Sequence, residues 1–141
     1  MKGIAPGAAM TLLAALAFAV PAGHARADGI IAHHGEIVET EKPGLPSQGF
    51  LEIDNSQNQP DMLIGATCPI AAAALLVGPS GTALPQLPVP AGSHILLRAD
   101  GPHLLLRSPH FSIDAGSAVP CSLRFRHAGT IQIYLYAIPA P

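Results

Sequence analysis

The sequence has few charged side chains, since aspartate, glutamate, lysine and arginine together make up 11% of its residues. Beyond residue 27 only five lysines and arginines stand against nine aspartates and glutamates, which gives residues 28–141 a net charge of −4 with histidine neutral. Binding a phosphate backbone requires clustered lysine and arginine. The composition therefore excludes nucleic acid as an expected partner.

Sequence motifs of common enzyme sites are missing. The segment Gly78-Pro79-Ser80-Gly81 lacks the Gly-x-Ser-x-Gly pattern of a nucleophile elbow, and no glycine-rich phosphate-binding loop is present. Glu36, Glu39 and Glu41 form an acidic run, which fits a solvated strand face better than an acid–base pair. We therefore expect a protein that is not an enzyme.

The one long apolar segment lies at the N-terminus. Lys2 is followed by an apolar stretch at residues 8–20 and by Ala25-Arg26-Ala27, the pattern of a secretory signal peptide with its cleavage site. The alternative, a buried N-terminal helix, does not account for the cleavage pattern. The stretch is too short to span a bilayer. We predict a signal peptide at residues 1–27 and one periplasmic domain at residues 28–141, without a stable membrane span after cleavage.

Cysteine is scarce, and Cys68 and Cys121 are the two in the sequence. In an oxidising compartment a disulfide is the favoured expectation, and the loop-entropy relation gives so long a loop a stabilisation of about 4 kcal/mol. Two free buried thiols and a cysteine-containing metal site remain as alternatives, because geometry decides between them.

Strand patterns dominate the chain after residue 27. Apolar and polar residues alternate at 119–126 and at 130–136, as in strands with one buried face. Residues 35–38 are a weaker strand candidate, and the alanine-rich residues 72–77 fit either a strand or a helical turn. Residues 78–92 contain four prolines and are predicted to be an extended loop.

Two pairs of apolar runs fit β-hairpins. Residues 50–54 and 62–67 are separated by a polar loop, and residues 94–97 and 103–107 by an Asp-Gly turn, a strong hairpin signal. Seven or eight short strands at this spacing predict an all-β antiparallel β-sandwich.

Two blocks of the chain carry a more specific pattern. The first joins Gly-Phe-Leu-Glu-Ile-Asp-Asn at residues 49–55 to Pro-Asp-Met-Leu-Ile-Gly-Ala-Thr-Cys-Pro at residues 60–69, and the second is residues 103–129. Both resemble the PCuAC family of periplasmic copper chaperones, and the likeness extends over residues 49–138. The resemblance implies a cupredoxin-like β-sandwich.

The resemblance also implies where copper ligands would lie. The family binds Cu(I) with two histidines and two methionines, a soft and exchangeable set. The implied positions here are near Val77, within residues 78–92, at His103 and at Leu105. Of these, only His103 has a ligand side chain, and Met62 is the one methionine beyond residue 27.

Other histidines offer a way to rebuild a metal site. His94 precedes His103 on the neighbouring predicted strand, and His33 and His34 lie near the start of the domain. Without sulfur ligands, imidazoles favour Cu(II) or Zn(II). We predict a copper site with His103 as its central ligand, joined by His94 or by the His33-His34 pair.

Two functions are compatible with the sequence. The first is a divergent copper-binding protein or copper chaperone that serves an acceptor protein, such as a subunit of a respiratory oxidase. The second is a metal-free interaction or assembly protein that keeps the fold and has lost the copper site.

Overall fold

The structure is a computed structural model that describes residues 29–141, in which every regular element is a β-strand. Within these residues no helix is long and apolar enough to cross a membrane. The predicted signal peptide at residues 1–27 lies outside the described residues and stays a prediction.

Nine strands form within the described part of the chain. They are β1 (Ile30–Val38), β2 (Ser47–Asn55), β3 (Asp61–Thr67), β4 (Ala71–Val77), β5 (Leu87–Val89), β6 (His94–Leu97), β7 (His103–Pro109), β8 (Ala118–Phe125) and β9 (Gly129–Ile138).

Pairing between strands closes the sheet on itself. The order is β1-β9-β8-β3-β4-β7-β2, and β2 returns to pair with β1. The β1–β9 pair is parallel and the other pairs are antiparallel. The short strands β6 and β5 add to β2 and β3. The all-β class predicted from the sequence is confirmed.

Alternation in the sequence sets which side chains face the core. In β8, Leu123 and Phe125 are buried while Arg124 is exposed, and in β9, Leu135 is buried while Tyr134 is exposed. This follows from the two-residue period of a strand and matches the predicted facing. The largest fully buried side chains come from eight of the strands and one loop: Phe125, Ile37, Leu51, Ile53, Leu63, Leu97, Leu104, Leu106, Ile113, Leu123, Leu135 and Val77.

The predicted hairpin between residues 50–54 and 62–67 is wrong. These segments lie in β2 and β3, which are consecutive but pair with different neighbours. The chain between β2 and β3 is held by the buried Asn55. Its side-chain amide donates to the carbonyls of Gln59 at 3.0 Å and Val89 at 3.2 Å. These bonds hold the connection across the end of the barrel instead of folding it into a two-strand turn.

The predicted hairpin between residues 94–97 and 103–107 is also wrong. Strands β6 and β7 lie one after the other along the same edge of β2, with Leu97 opposite Leu51 and Leu104 opposite Gly49. The Asp-Gly turn is present, but it redirects the chain along that edge. A turn signal is local, whereas the strand partner depends on which edge is free to accept backbone hydrogen bonds.

The structure also shows the conformation of residues 72–77 and 78–92. The alanine-rich residues 72–77 belong to strand β4, which pairs with β7 over most of its length. Residues 78–92, predicted to be a loop, contain the three-residue strand β5. In both cases burial against a neighbouring strand overrides the local sequence preference.

A disulfide joins Cys68 to Cys121, with a Cα–Cα separation of 4.2 Å. Thr67, the last residue of β3, lies opposite Ser122 on β8, so Cys68 follows directly and faces Cys121. Both cysteines are buried. In this structure neither cysteine is a free thiol or a metal ligand.

Candidate metal-binding site

Strand β1 carries a bulge that changes the direction of two adjacent histidines. His33 lies opposite Glu52 and Glu36 opposite Phe50, so β1 has one extra residue over this interval. His34 sits in the bulge with φ 53°. Neighbouring side chains in a regular strand point to opposite faces, and a bulge removes that constraint. As a result, the Nδ1 atoms of His33 and His34 are only 3.0 Å apart.

Gly35 makes this bulge possible. A Cβ atom at this position would lie 2.5 Å from the carbonyl oxygen of Tyr134 and 2.8 Å from Cδ2 of Leu135. Only glycine allows the backbone of β1 to approach β9 so closely. The residue after His34 is therefore fixed by packing, and it anchors the bulge against the barrel.

Strand β2 supplies two carboxylates beside the histidines. Glu52 and Asp54 are two residues apart and share the outer face, while Leu51 and Ile53 point into the core. In the β2–β6 register, His94 lies directly opposite Asp54. Three neighbouring strands thus bring three histidines and two carboxylates together on one surface.

The five side chains form a closed ring of contacts, which we call the histidine–carboxylate ring. His33 Nε2 lies 2.7 Å from Asp54 Oδ2, and His94 Nε2 lies 2.9 Å from Glu52 Oε1. His34 Nδ1 contacts the other oxygen of Glu52, and His94 Nδ1 contacts the other oxygen of Asp54. The His33–His34 contact closes the ring.

The contacts within the ring change the pKa of Glu52, Asp54 and His94. The hydrogen bond with His94 is the main cause that lowers the pKa of Asp54. Partial burial opposes ionisation of Glu52, but hydrogen bonds and charge from His34 and His94 outweigh it and lower its pKa. The hydrogen bond with Asp54 is the main cause that raises the pKa of His94. Without metal, the ring therefore favours ionised Glu52 and Asp54 and a protonated His94.

The ring also has the donor atoms of a metal site. Two triads, His33 with His34 and Glu52, and His33 with Asp54 and His94, each hold three ligand atoms within 4.8 Å of one another. Imidazole and carboxylate donors suit Cu(II) and Zn(II), whereas Cu(I) prefers thiolate and thioether sulfur. The donor set therefore fits a divalent ion.

His103 lies apart from the ring. It is only 3% exposed, its Nδ1 donates to the carbonyl of Gly101 at 2.9 Å, and its ring centre lies 6.1 Å from that of Phe50. Neither of the two groups of candidate metal ligands in the described part of the chain includes His103. The predicted convergence of His103 and His94 is not found, and the role of His103 as a ligand stays a prediction.

Two of the other positions implied by the PCuAC resemblance, Val77 and Leu105, have apolar side chains. Val77 lies directly opposite His103 in the β4–β7 pair, so the two implied positions are neighbours. Leu105 lines a groove of about 520 Å³ together with Phe50 and Ile138. Valine and leucine have no donor atoms, so these residues do not fit a copper ion.

Glu52 and Asp54 were not recognised as candidate ligands from the sequence. Their two-residue spacing in Gly-Phe-Leu-Glu-Ile-Asp-Asn places them on one strand face, and this spacing is the signal that the sequence contains. This spacing indicates a ligand site only when the neighbouring strands are known, because the histidines come from segments 18 to 42 residues away in the chain.

Comparison with known proteins gives both a family and a fold. The model of the family described as "Putative lipoprotein LpqE-like" matches residues 18–136. No curated protein matches the chain at a significant level.

Three solved structures show the fold. The copper-bound PCuAC domain from PmoF2 is 22% identical, with 80% of this chain and 94% of that chain covered and a TM-score of 0.71. The apo PCuAC domain from PmoF1 is 16% identical, with 79% and 95% covered and a TM-score of 0.73. The solution structure of CuI-DR1885 from Deinococcus radiodurans is 21% identical, with 79% and 80% covered and a TM-score of 0.62. At this identity the likeness concerns the fold, and it confirms the predicted cupredoxin-like β-sandwich. The match over residues 18–136 assigns the chain to the LpqE-like family, whose member here has the fold of PCuAC domains.

Proposed function

We propose that the protein is an exported copper-binding protein that takes Cu(II) at the histidine–carboxylate ring. The observation that carries this proposal is the convergence of three histidines and two carboxylates on one outer face of the barrel. The likeness to PCuAC domains, one of which is copper-bound, makes copper the first metal to consider.

The chemistry of the donors favours the oxidised ion. The ring contains no sulfur, and Cu(II) is the divalent first-row ion that nitrogen and oxygen ligands bind most tightly. His34 is 70% exposed and Glu52 is 18% exposed, so one side of the site is open to solvent. An open site allows an incoming ligand from another protein to reach the metal, which copper transfer requires.

Delivery to an acceptor is the expected role of such a site. As the PCuAC resemblance implies, the acceptor would be a copper-dependent protein such as a subunit of a respiratory oxidase. The predicted signal peptide at residues 1–27 and the disulfide between Cys68 and Cys121 support a periplasmic location, because disulfides persist in oxidising compartments.

A metal-free role is the second candidate. It is favoured by the apolar groove at Phe50, Leu105 and Ile138, which occupies the region where the PCuAC resemblance implies copper. In this role the groove would bind a partner protein, and the ring would serve only to join β1, β2 and β6 through ion pairs.

A competition titration with Cu(II) tests the first proposal. The exported protein is compared with His33→Ala, with His103→Ala and with His110→Ala, a control at an exposed histidine outside the ring. We expect His33→Ala to weaken binding by more than about 100-fold, since even indirect support of a metal ligand is worth 10–100-fold.

The titration separates the candidates. His103→Ala and His110→Ala should both bind Cu(II) like the unmodified protein. Loss of binding in His103→Ala alone would move the site to β7 and refute the ring. No binding by the unmodified protein would favour the metal-free role.

A further inference from the structure

The two nitrogens of His33 face different partners. Nδ1 lies 3.0 Å from Nδ1 of His34, and Nε2 lies 2.7 Å from Oδ2 of Asp54. His33 is also the one residue common to both ligand triads. The shared residue therefore presents a separate donor atom to each triad.

Each triad also contains one carboxylate, Glu52 in the first and Asp54 in the second. Glu52 contacts His34 with Oε2, the oxygen on the side of the first triad. Asp54 contacts His33 with Oδ2 and His94 with Oδ1, so both of its oxygens lie among the second triad. Each side of the His33 ring thus has one further histidine and one carboxylate, and the second oxygen of Glu52, Oε1, links the two sides through His94 Nε2 at 2.9 Å.

Imidazole geometry prevents a single ion from using both sides. The lone pairs of the two ring nitrogens point away from each other, and metal–nitrogen bonds are about 2.0–2.1 Å long. An ion bound to Nδ1 is thus out of reach of Nε2. Two ions, one at each nitrogen, would be about 6 Å apart, a separation that keeps both within their own triads.

We propose that the ring binds two divalent ions bridged by the imidazolate of His33. The first ion is held by His33 Nδ1, His34 and Glu52, and the second by His33 Nε2, Asp54 and His94. The remaining N–H proton of His33 passes to solvent when the second ion binds. Two carboxylates and the imidazolate offset most of the charge of the two ions.

This proposal rests on the proposed function, but it is tested by the number of Cu(II) ions bound and by their magnetic coupling, not by affinity alone. The number of Cu(II) ions bound is determined by titration, and electron paramagnetic resonance at liquid-helium temperature follows each addition. Two Cu(II) ions that share one imidazolate couple antiferromagnetically, so we expect the signal to rise as the first equivalent binds and to fall with the second.

Variants on either side of the bridge supply the control. His34→Ala and His94→Ala should each bind one Cu(II) with full, uncoupled signal intensity, while His110→Ala should behave like the unmodified protein. The folding of each variant is checked by metal-free thermal unfolding. Because His34 and His94 are both exposed, we expect these substitutions to leave the fold intact.

The possible failures are distinct. One ion in the unmodified protein, retained in both single variants, would overturn the bridge and leave the proposed function standing. Two ions with full uncoupled intensity would also overturn the bridge. No Cu(II) binding at all would overturn the proposed function and the bridge with it.

Discussion

Gly35→Ala tests whether close packing of β1 against β9 creates the histidine–carboxylate ring. The added Cβ would lie 2.5 Å from the carbonyl oxygen of Tyr134 and 2.8 Å from Cδ2 of Leu135. The leucine side chain can rotate, but the carbonyl oxygen belongs to the paired backbone of β9. Strand β1 must therefore move away from β9, and the bulge at His34 must move with it.

The expected destabilisation follows from overpacking. Forcing a methyl group into a filled site costs about 1–3 kcal/mol, and for a domain of this size each kcal/mol lowers the melting temperature by about 4 °C or somewhat more. Gly101→Ala is the matched control, because nothing lies within 4 Å of its Cβ position and its φ is not positive. That control should be neutral or slightly stabilising, since alanine restricts the unfolded chain.

Urea unfolding in the presence of a chelator measures the first effect, and Cu(II) titration measures the second. We expect Gly35→Ala to unfold at lower urea concentration than Gly101→Ala and to bind Cu(II) more weakly. Equal urea midpoints for the two variants would refute the packing argument. Lower stability with unchanged Cu(II) affinity would show that the bulge does not position the ring.

Three further predictions concern the disulfide, a buried carboxylate and the ring without metal. Replacing both Cys68 and Cys121, which are 53 residues apart, by serine should lower the free energy of unfolding by about 4 kcal/mol; urea midpoints that do not change would contradict this. Asp61→Asn should lower the free energy of unfolding by about 1–3 kcal/mol. The Asp61 carboxylate accepts hydrogen bonds from the backbone N–H groups of Met62, His127 and Ala128. Burial opposes ionisation of Asp61, but these bonds outweigh it and lower its pKa below 3.8, so the difference between variant and unmodified protein should shrink as pH falls through that lowered pKa. The pKa of His94 is raised above 6.5 mainly by its hydrogen bond with Asp54, so the stabilisation from this pair is complete below pH 6.5 and is lost as pH rises through the raised value. Thermal unfolding of His94→Gln should lack this pH dependence.

The alternation of apolar and polar side chains predicts most of what the sequence reveals about the fold. The segments at 119–126 and 130–136 were predicted as strands with the facing that the structure has, because burial of one strand face repeats every two residues. The pairing of strands was predicted poorly. Both predicted hairpins are wrong, because β2 and β7 pair with strands that are distant in sequence. Buried polar contacts and free strand edges determine those pairings.

The candidate site was partly visible in the sequence. His33, His34 and His94 were singled out as candidate ligands, and the structure brings all three together. Glu52 and Asp54 were assigned only to a strand. The PCuAC resemblance puts His103 at the centre of the predicted site, but His103 is buried beside Phe50 and belongs to neither ligand triad.

The sequence by itself determined the all-β class, the faces of the clearest strands, the low content of sulfur ligands and the likeness to PCuAC domains. These properties depend on composition and on residues close together in the chain. Only the tertiary structure decided which edges pair, that a bulge stabilised by Gly35 turns His33 and His34 to one face, and that β2 places two carboxylates between them and His94. A metal site depends on distances of a few ångströms between donors, and these distances are set by strand register across the barrel, which local sequence patterns do not encode.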